Sequence, residues 1–170
     1  MYQSRYNSQV ARITHMSLSH INEKGEANMV DVSAREETMR TAECSALVIV
    51  SPEVMASIVE GSVPKGDVFS VARIAGILAA KKTYELIPLC HPIALHKIQI
   101  DLKVTPGGIE IKALVITADR TGVEMEALVA VTIAGLTIID MVKSMDPQAE
   151  LTNIKVNVKS GGRSGDWKRL

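Results

Sequence analysis

Lys97-Ile98-Gln99-Ile100-Asp101-Leu102-Lys103-Val104, running on through Thr105-Pro106-Gly107-Gly108 into Ile109-Glu110-Ile111-Lys112-Ala113-Leu114-Val115, decides the fold. Ile98, Ile100, Leu102 and Val104 alternate with Lys97, Gln99, Asp101 and Lys103, which is the period of a strand with one buried face. The turn residues Thr105 to Gly108 and the continued alternation of Ile109, Ile111, Ala113 and Val115 close a hairpin. An antiparallel sheet with one apolar face needs a second layer to cover it.

Upstream, Thr41 to Val50 reads as a strand, with Cys44, Ala46, Val48 and Val50 on one face and Ser45, Leu47 and Ile49 on the other. Ser51-Pro52 then supplies an N-cap and a proline at the first helical position, and Gly61 stops the helix after Glu60. The loop Gly61 to Gly66 has the glycine spacing of a phosphate-binding P-loop, but Asp67 and Val68 stand where that motif needs Lys and Ser/Thr, so it is rejected. Asp67 instead caps a helix running to about Lys82, with Val68, Val71, Ala75, Leu78 and Ala79 as the expected inner stripe. Ala72, Ala75, Gly76, Ala79 and Ala80 leave so little bulk that another backbone can come close. Lys81 and Lys82 suit the C-terminal end of the helix dipole.

Downstream, Thr121-Gly122-Val123-Glu124 fits a capping box, with Thr121 as N-cap and Glu124 reaching back. The helix it opens is expected to run to about Met145, and it carries no charge between Glu126 and Asp140. That uncharged run falls short of the roughly twenty apolar residues a bilayer requires, so no membrane span is read here. A helix apolar all round is buried all round. One sheet face covers one side, so a subunit interface is expected on the other. Ile154, Val156 and Val158 alternate with Asn153, Lys155, Asn157 and Lys159 as a last strand. The element order gives an α+β fold, a ferredoxin-like β-α-β-β-α-β sandwich with an extra helix and an antiparallel sheet covered by helices on one face. Residues 1–14 read as a flexible N-terminal tail, 15–159 as a single domain with a turn at Lys24-Gly25-Glu26, and 160–170 as a flexible glycine-rich tail.

With 46% hydrophobic but only 3% aromatic residues, the core must be built from Val, Ile, Leu, Ala and Met. Nineteen basic residues balance nineteen acidic ones, which argues against a nucleic-acid binder that works by phosphate neutralisation. Cys44 and Cys90 make no disulfide framework, and with no signal segment near Met1 the chain reads as cytoplasmic.

Chemistry concentrates in three places. In Leu86-Ile87-Pro88-Leu89-Cys90-His91-Pro92 two prolines stiffen a loop around a thiol and an imidazole, either to position something or as a rigid connector with a buried thiol. Asp140 and Lys143 are neighbours on one helix, either a solvated ion pair or a lysine oriented for acid–base work. Glu126 shares their helix face but lies roughly 21 Å away at 1.5 Å per residue. One small substrate reaches both ends only if it is long or if the ends come from different subunits. Cys90, His91 and His96 are too few and wrongly spaced for structural zinc, and adjacent Cys and His seldom form a nucleophilic dyad.

Met29 to Ser33, Lys65 to Val68, Ala72 to Ile77, Ala79 to Lys81, Leu86 to Pro92, Thr121 to Leu128, Leu136 to Ile138, Asp140-Met141 and Lys159 to Asp166 resemble the molybdenum cofactor biosynthesis protein C family, the cyclic pyranopterin monophosphate synthases. Ile139 and Val142 depart from the Tyr and Cys of the family pattern. The resemblance implies a lyase that converts 3′,8-cyclo-7,8-dihydroguanosine 5′-triphosphate into cyclic pyranopterin monophosphate with loss of diphosphate. It implies a homo-oligomer, a hexamer built as a trimer of dimers, with sites at the dimer interface. Lys65, Asp140 and Lys143 carry over as catalytic; Arg40, Lys81, Leu89, Cys90, His91, Glu124, Met125 and Glu126 carry over as substrate-binding. No tightly bound metal is implied, although Mg²⁺ on the substrate phosphates suits diphosphate loss. A nucleotide-binding module without turnover is the alternative from the same fold.

Overall fold

The computed structural model describes residues 21, 22, 24–162 and 165–170, in two units, Met1–Asp31 and Val32–Leu170. The tail expected over residues 1–14 lies outside the described residues. In the first unit, Asn22 Oδ1 accepts from the backbone N–H groups of Lys24 and Glu26, each at 2.9 Å, and closes the expected turn. Ile21 and Ala27 pair across it.

The second unit contains β1 (Thr38–Ile49), α1 (Pro52–Glu60), α2 (Val68–Ala80), α3 (Thr83–Leu86), β2 (Lys97–Thr105), β3 (Gly108–Asp119), α4 (Glu124–Val142), β4 (Glu150–Ser160) and β5 (Trp167–Lys168). The strands form one sheet in the order β2-β3-β1-β4-β5, with every neighbouring pair antiparallel. The ferredoxin-like core is therefore present, with a fifth strand added at one edge. The tail expected over 160–170 gave no sign of β5. Its two residues pair with Val158 and Lys159 of β4.

Local signals fix most boundaries. Ser51 Oγ accepts from Val54 N and Gly61 closes α1 in the left-handed region, as its sequence requires. Asp67 caps α2 through Ser70 N at 3.0 Å. The expected α4 capping box does not form. Val123 occupies the N-cap position with no side-chain hydrogen bond, because the Glu124 carboxylate pairs with Lys159 on β4 instead. β1 also starts earlier than Thr41, since its register with β3 runs back to Thr38↔Asp119.

The core lies between the sheet and the pair α2 and α4. Ala42, Cys44, Ala46 and Val48 of β1, Ile109, Ile111, Ala113 and Val115 of β3, and Ala127, Ala130, Val131, Ala134 and Ile138 of α4 are all almost completely buried. The inner stripe of α2 is Val68, Ala72, Gly76, Ala79 and Ala80, whereas Val71 and Leu78, expected inside, are exposed. The small residues set the phase, because they let the α4 backbone approach. A Cβ on Gly76 would sit 2.7 Å from Ala130 O and 3.2 Å from Ala134 Cβ. The β4 alternation also slips. Asn153 adopts φ 54° beside irregular pairing with β1, leaving Ile154 exposed and turning Leu151 under Gly135 of α4.

By length and composition α4 could cross a bilayer, but more than half of it is buried in this fold. It is the core helix. Its uncovered strip is narrow and includes Met125 and Leu136. Ile139 is half-buried and Val142 fully buried, so the two departures from the family pattern are packing positions.

The α2–α4 approach gives a direct test. Gly76→Val should destabilise the protein by about 2–3 kcal/mol through overpacking, read as a lower urea midpoint with unchanged slope. An unchanged midpoint would contradict the close approach.

Candidate functional site

Because α4 carries its charge only near its ends, polar chemistry gathers at two places. At its C-terminal end, Lys143 is the C-cap and its Nζ lies 2.8 Å from Asp140 Oδ1. Lys65, from the turn between α1 and α2, places Nζ 3.0 Å from Asp140 Oδ2 and donates to the Asp140 carbonyl at 2.7 Å. That carbonyl is one of the orphans every helix leaves at its end. The turn is anchored by buried Val63, whose carbonyl accepts from Gly66 N. Hydrogen bonds from Lys143 first and Lys65 second, with their charges, pull the Asp140 carboxyl down to about 2. One carboxylate therefore holds two ammonium groups side by side and open to solvent. Such exposed pairs add little stability, so the cluster is a candidate for chemistry.

At the N-terminal end the cation excess is larger. Arg40 on β1 is 8% exposed, and its Nε donates to Asp119 O at 3.3 Å. With Arg35, Arg120, Lys159, Thr121 and Glu124 it lines a cavity of about 310 Å³. Lys159 pairs with Glu124 at 3.2 Å and Arg120 with Glu37 at 3.3 Å, while Arg120 Nε is buried with no hydrogen-bond partner among the described residues. A cavity lined by three arginines, a lysine and a single carboxylate among the described residues is built for an anion.

On and beneath the first turn of α4 the groups are desolvated. Glu126, on the first turn of α4, is 4% exposed, and burial, aided by the charge of Glu124, pushes its carboxyl up to about 7. The Cys90 thiol is raised by burial first and by Glu126 second, which puts the Pro88–Pro92 loop within electrostatic reach of that carboxyl. Cys44 packs beneath α4, its Sγ 3.8 Å from Glu124 O, and burial with Glu124 and Glu43 pushes it up to about 12. Neither thiol is activated as a nucleophile.

The structure thus joins Lys65, Asp140 and Lys143, joins Arg40 with Glu124, and couples Cys90 to Glu126. Leu89 and His91 are half-buried in the Pro88–Pro92 loop, and Met125 is exposed beside Glu126. Lys81 stands apart, exposed as the α2 C-cap and not among the residues lining the arginine cavity. Sequence reasoning missed Arg35, Arg120 and Lys159. Arg35 lies just upstream of β1, five residues from Arg40; Lys159 falls within a quoted stretch and Arg120 immediately precedes one, but only the pairing of β1 with β3 and β4 brings those two to Arg40. From Glu124 to Asp140 is roughly 24 Å along the helix, so one small molecule cannot span both places in one chain.

A family profile described as the MoaC family matches residues 29–162. The chain belongs to the MoaC family. A relative named cyclic pyranopterin monophosphate synthase from Streptomyces avermitilis is 54% identical over 152 residues, covering 89% of each chain. One of the same name from Corynebacterium efficiens is 49% identical over 150 residues, 88% of this chain and 97% of that one. A Mycobacterium tuberculosis relative, named cyclic pyranopterin monophosphate synthase 2, is 50% identical over 152 residues. The MoaC match takes in both charged ends of α4.

Burial of Glu126 gives this MoaC chain a defined pH signature. Its folded pKa of about 7 exceeds the ordinary 4.5 of an unfolded glutamate, so between these values the folded state holds a proton that the unfolded state has lost. Stability is complete below about pH 4.5 for this group and falls as pH rises through 7. Glu126→Gln should therefore match wild type near pH 4.5 and exceed it by about 1–3 kcal/mol at pH 8, measured by urea unfolding. A gap independent of pH would contradict the assignment.

Proposed function

We propose that the chain is an enzyme of molybdenum cofactor biosynthesis that converts 3′,8-cyclo-7,8-dihydroguanosine 5′-triphosphate into cyclic pyranopterin monophosphate and diphosphate. The observation that carries this reading is the charge layout on α4, a Lys65–Asp140–Lys143 cluster at one end and an arginine-rich cavity at the other. The named relatives have this activity in their names, and the layout fits its demands. A triphosphate needs cations. Ring opening and reclosure need proton donors and acceptors, and no redox group is required.

Arg40, Arg35, Arg120 and Lys159 grip the triphosphate, the arginines by bidentate contacts. Glu124 and Glu126 face the guanine-derived ring, with Glu126 able to exist protonated near neutrality. His91, with Leu89 and Cys90 in the proline-stiffened loop, lies by the reacting sugar. Lys81 joins the phosphate contacts only from another subunit. Asp140, kept ionised far below neutral pH, is too weak a base to take a proton itself and acts by orienting both ammonium groups. Lys143 passes protons during ring rearrangement, and Lys65 neutralises charge developing on the α-phosphate. In the closing step a sugar hydroxyl forms the new P–O bond, the bond to the β-phosphate breaks, diphosphate leaves, and the hydroxyl proton passes to Lys143, left neutral after giving its own proton to the rearranging ring.

Since the two ends of α4 lie too far apart for one substrate, each site is completed by a second copy of the chain. A hexamer of three such dimers, in the cytoplasm, is the assembly we propose. Among the described residues no three His, Cys, Asp or Glu side chains converge as metal ligands, so any Mg²⁺ rides on the substrate phosphates.

Lys143→Ala, compared with wild type on the cyclic dihydroguanosine triphosphate with Mg²⁺, should lose product and diphosphate release by about 10²–10⁴-fold while remaining folded. Unchanged turnover would remove the acid–base role. Wild-type binding with no product would make the chain a nucleotide-binding module instead.

A further inference from the structure

Trp167 is the only tryptophan of the sequence, in a chain with 3% aromatic residues, and the synthase reading leaves it unused. It sits on β5 directly opposite Lys159 of β4. Residues directly opposite in an antiparallel pair project from the same face. Lys159 Nζ reaches Glu124 of α4, so this is the helix-bearing face, at the N-terminal end of α4. The short strand is well tethered. Arg169 N donates to Asn157 O and Arg169 Nε to Val156 O, both at 2.7 Å, and the Arg169 guanidinium lies 5.4 Å from the indole centroid. Upstream, Gly161 N donates to Asp166 Oδ1 at 3.2 Å. Gly161 takes φ 82° with its Cα against the Met39 carbonyl, an approach no side chain would permit, so the chain turns sharply from β4 towards β5.

Trp167 remains 41% exposed and walls a cavity of about 390 Å³ together with Val156, Lys159 and Glu124. Lys159 and Glu124 also line the arginine cavity, so the two spaces meet across that ion pair. One is cationic, and the other has an indole wall facing the Lys159–Glu124 pair that both share.

We propose that Trp167 is the stacking platform for the planar heterocycle of the nucleotide, which orients the ligand with its phosphates in the arginine cavity and its ring on the indole. The inference rests on the synthase reading of the site and adds a specificity residue to it. Arg169 holds the indole in plane by its cation–π contact, and Glu124, shared by both spaces, accepts from the ring N–H groups.

A single tryptophan makes the test direct. GTP is titrated into the full-length protein, with inorganic tripolyphosphate as the ring-free probe. Binding is followed by calorimetry and by intrinsic fluorescence. GTP should change Trp167 emission saturably at the calorimetric Kd, whereas tripolyphosphate should bind with little change. Trp167→Ala should weaken GTP about 10-fold and leave tripolyphosphate unchanged, and Trp167→Phe should stay within about threefold of wild type, as base–aromatic stacking predicts. GTP binding with unchanged emission, or equal losses for both probes in Trp167→Ala, would overturn the stacking role alone. Failure of wild type to bind GTP, with tripolyphosphate still bound, would overturn the nucleotide reading and this inference with it.

Discussion

The constraint on which the structure depends is the burial of α4. A helix packed on a sheet and flanked by a second helix can keep ionised groups only where it emerges. Asp140 and Lys143 mark one exit, and Glu124 marks the other. Gly76 and the alanines of α2 and α4 permit the close contact that makes the burial possible. The chemistry of the chain is thereby divided into two poles before any substrate is considered.

Glu126 is the exception that this division explains. It lies on the first turn of α4 but is buried, and desolvation with its neighbour Glu124 raises its carboxyl to about 7, so that it is partly protonated near neutral pH. Keeping a carboxyl there lowers stability at neutral and higher pH. Such a group is retained where a protonated carboxyl, able to donate as well as accept, faces a ring of mixed donors and acceptors. At the other pole Asp140 is pushed the opposite way by two lysines, so it can only accept.

Much of the fold was legible in the sequence. The strict alternation of Lys97 to Val115, the Ser51-Pro52 start and the Gly61 stop each rest on local rules, and each holds. The misses came from long-range competition. Thr121 lost its capping role because Glu124 found Lys159, the α2 stripe rotated towards the small residues that face α4, and Asn153 shifted the phase of β4. β5 was invisible because two residues carry no period. In the site, Asp140 and Lys143 were legible as helix neighbours. Lys65 joins them across 75 residues, and Arg40 meets Arg120 and Lys159 only through strand pairing, which spacing cannot reveal. The family resemblance, and not periodicity, supplied Lys65 and Arg40.

The most direct test of the account is subunit complementation between the two poles. Lys143→Ala and Arg40→Ala proteins, each of negligible activity alone, are unfolded together, refolded as a mixture and assayed for diphosphate release. If each site takes one pole from each of two copies, random pairing restores about a quarter of wild-type activity, because half of the dimers are mixed and each mixed dimer holds one intact site. A mixture as inactive as its parents would contradict the shared site and return both poles to a single chain.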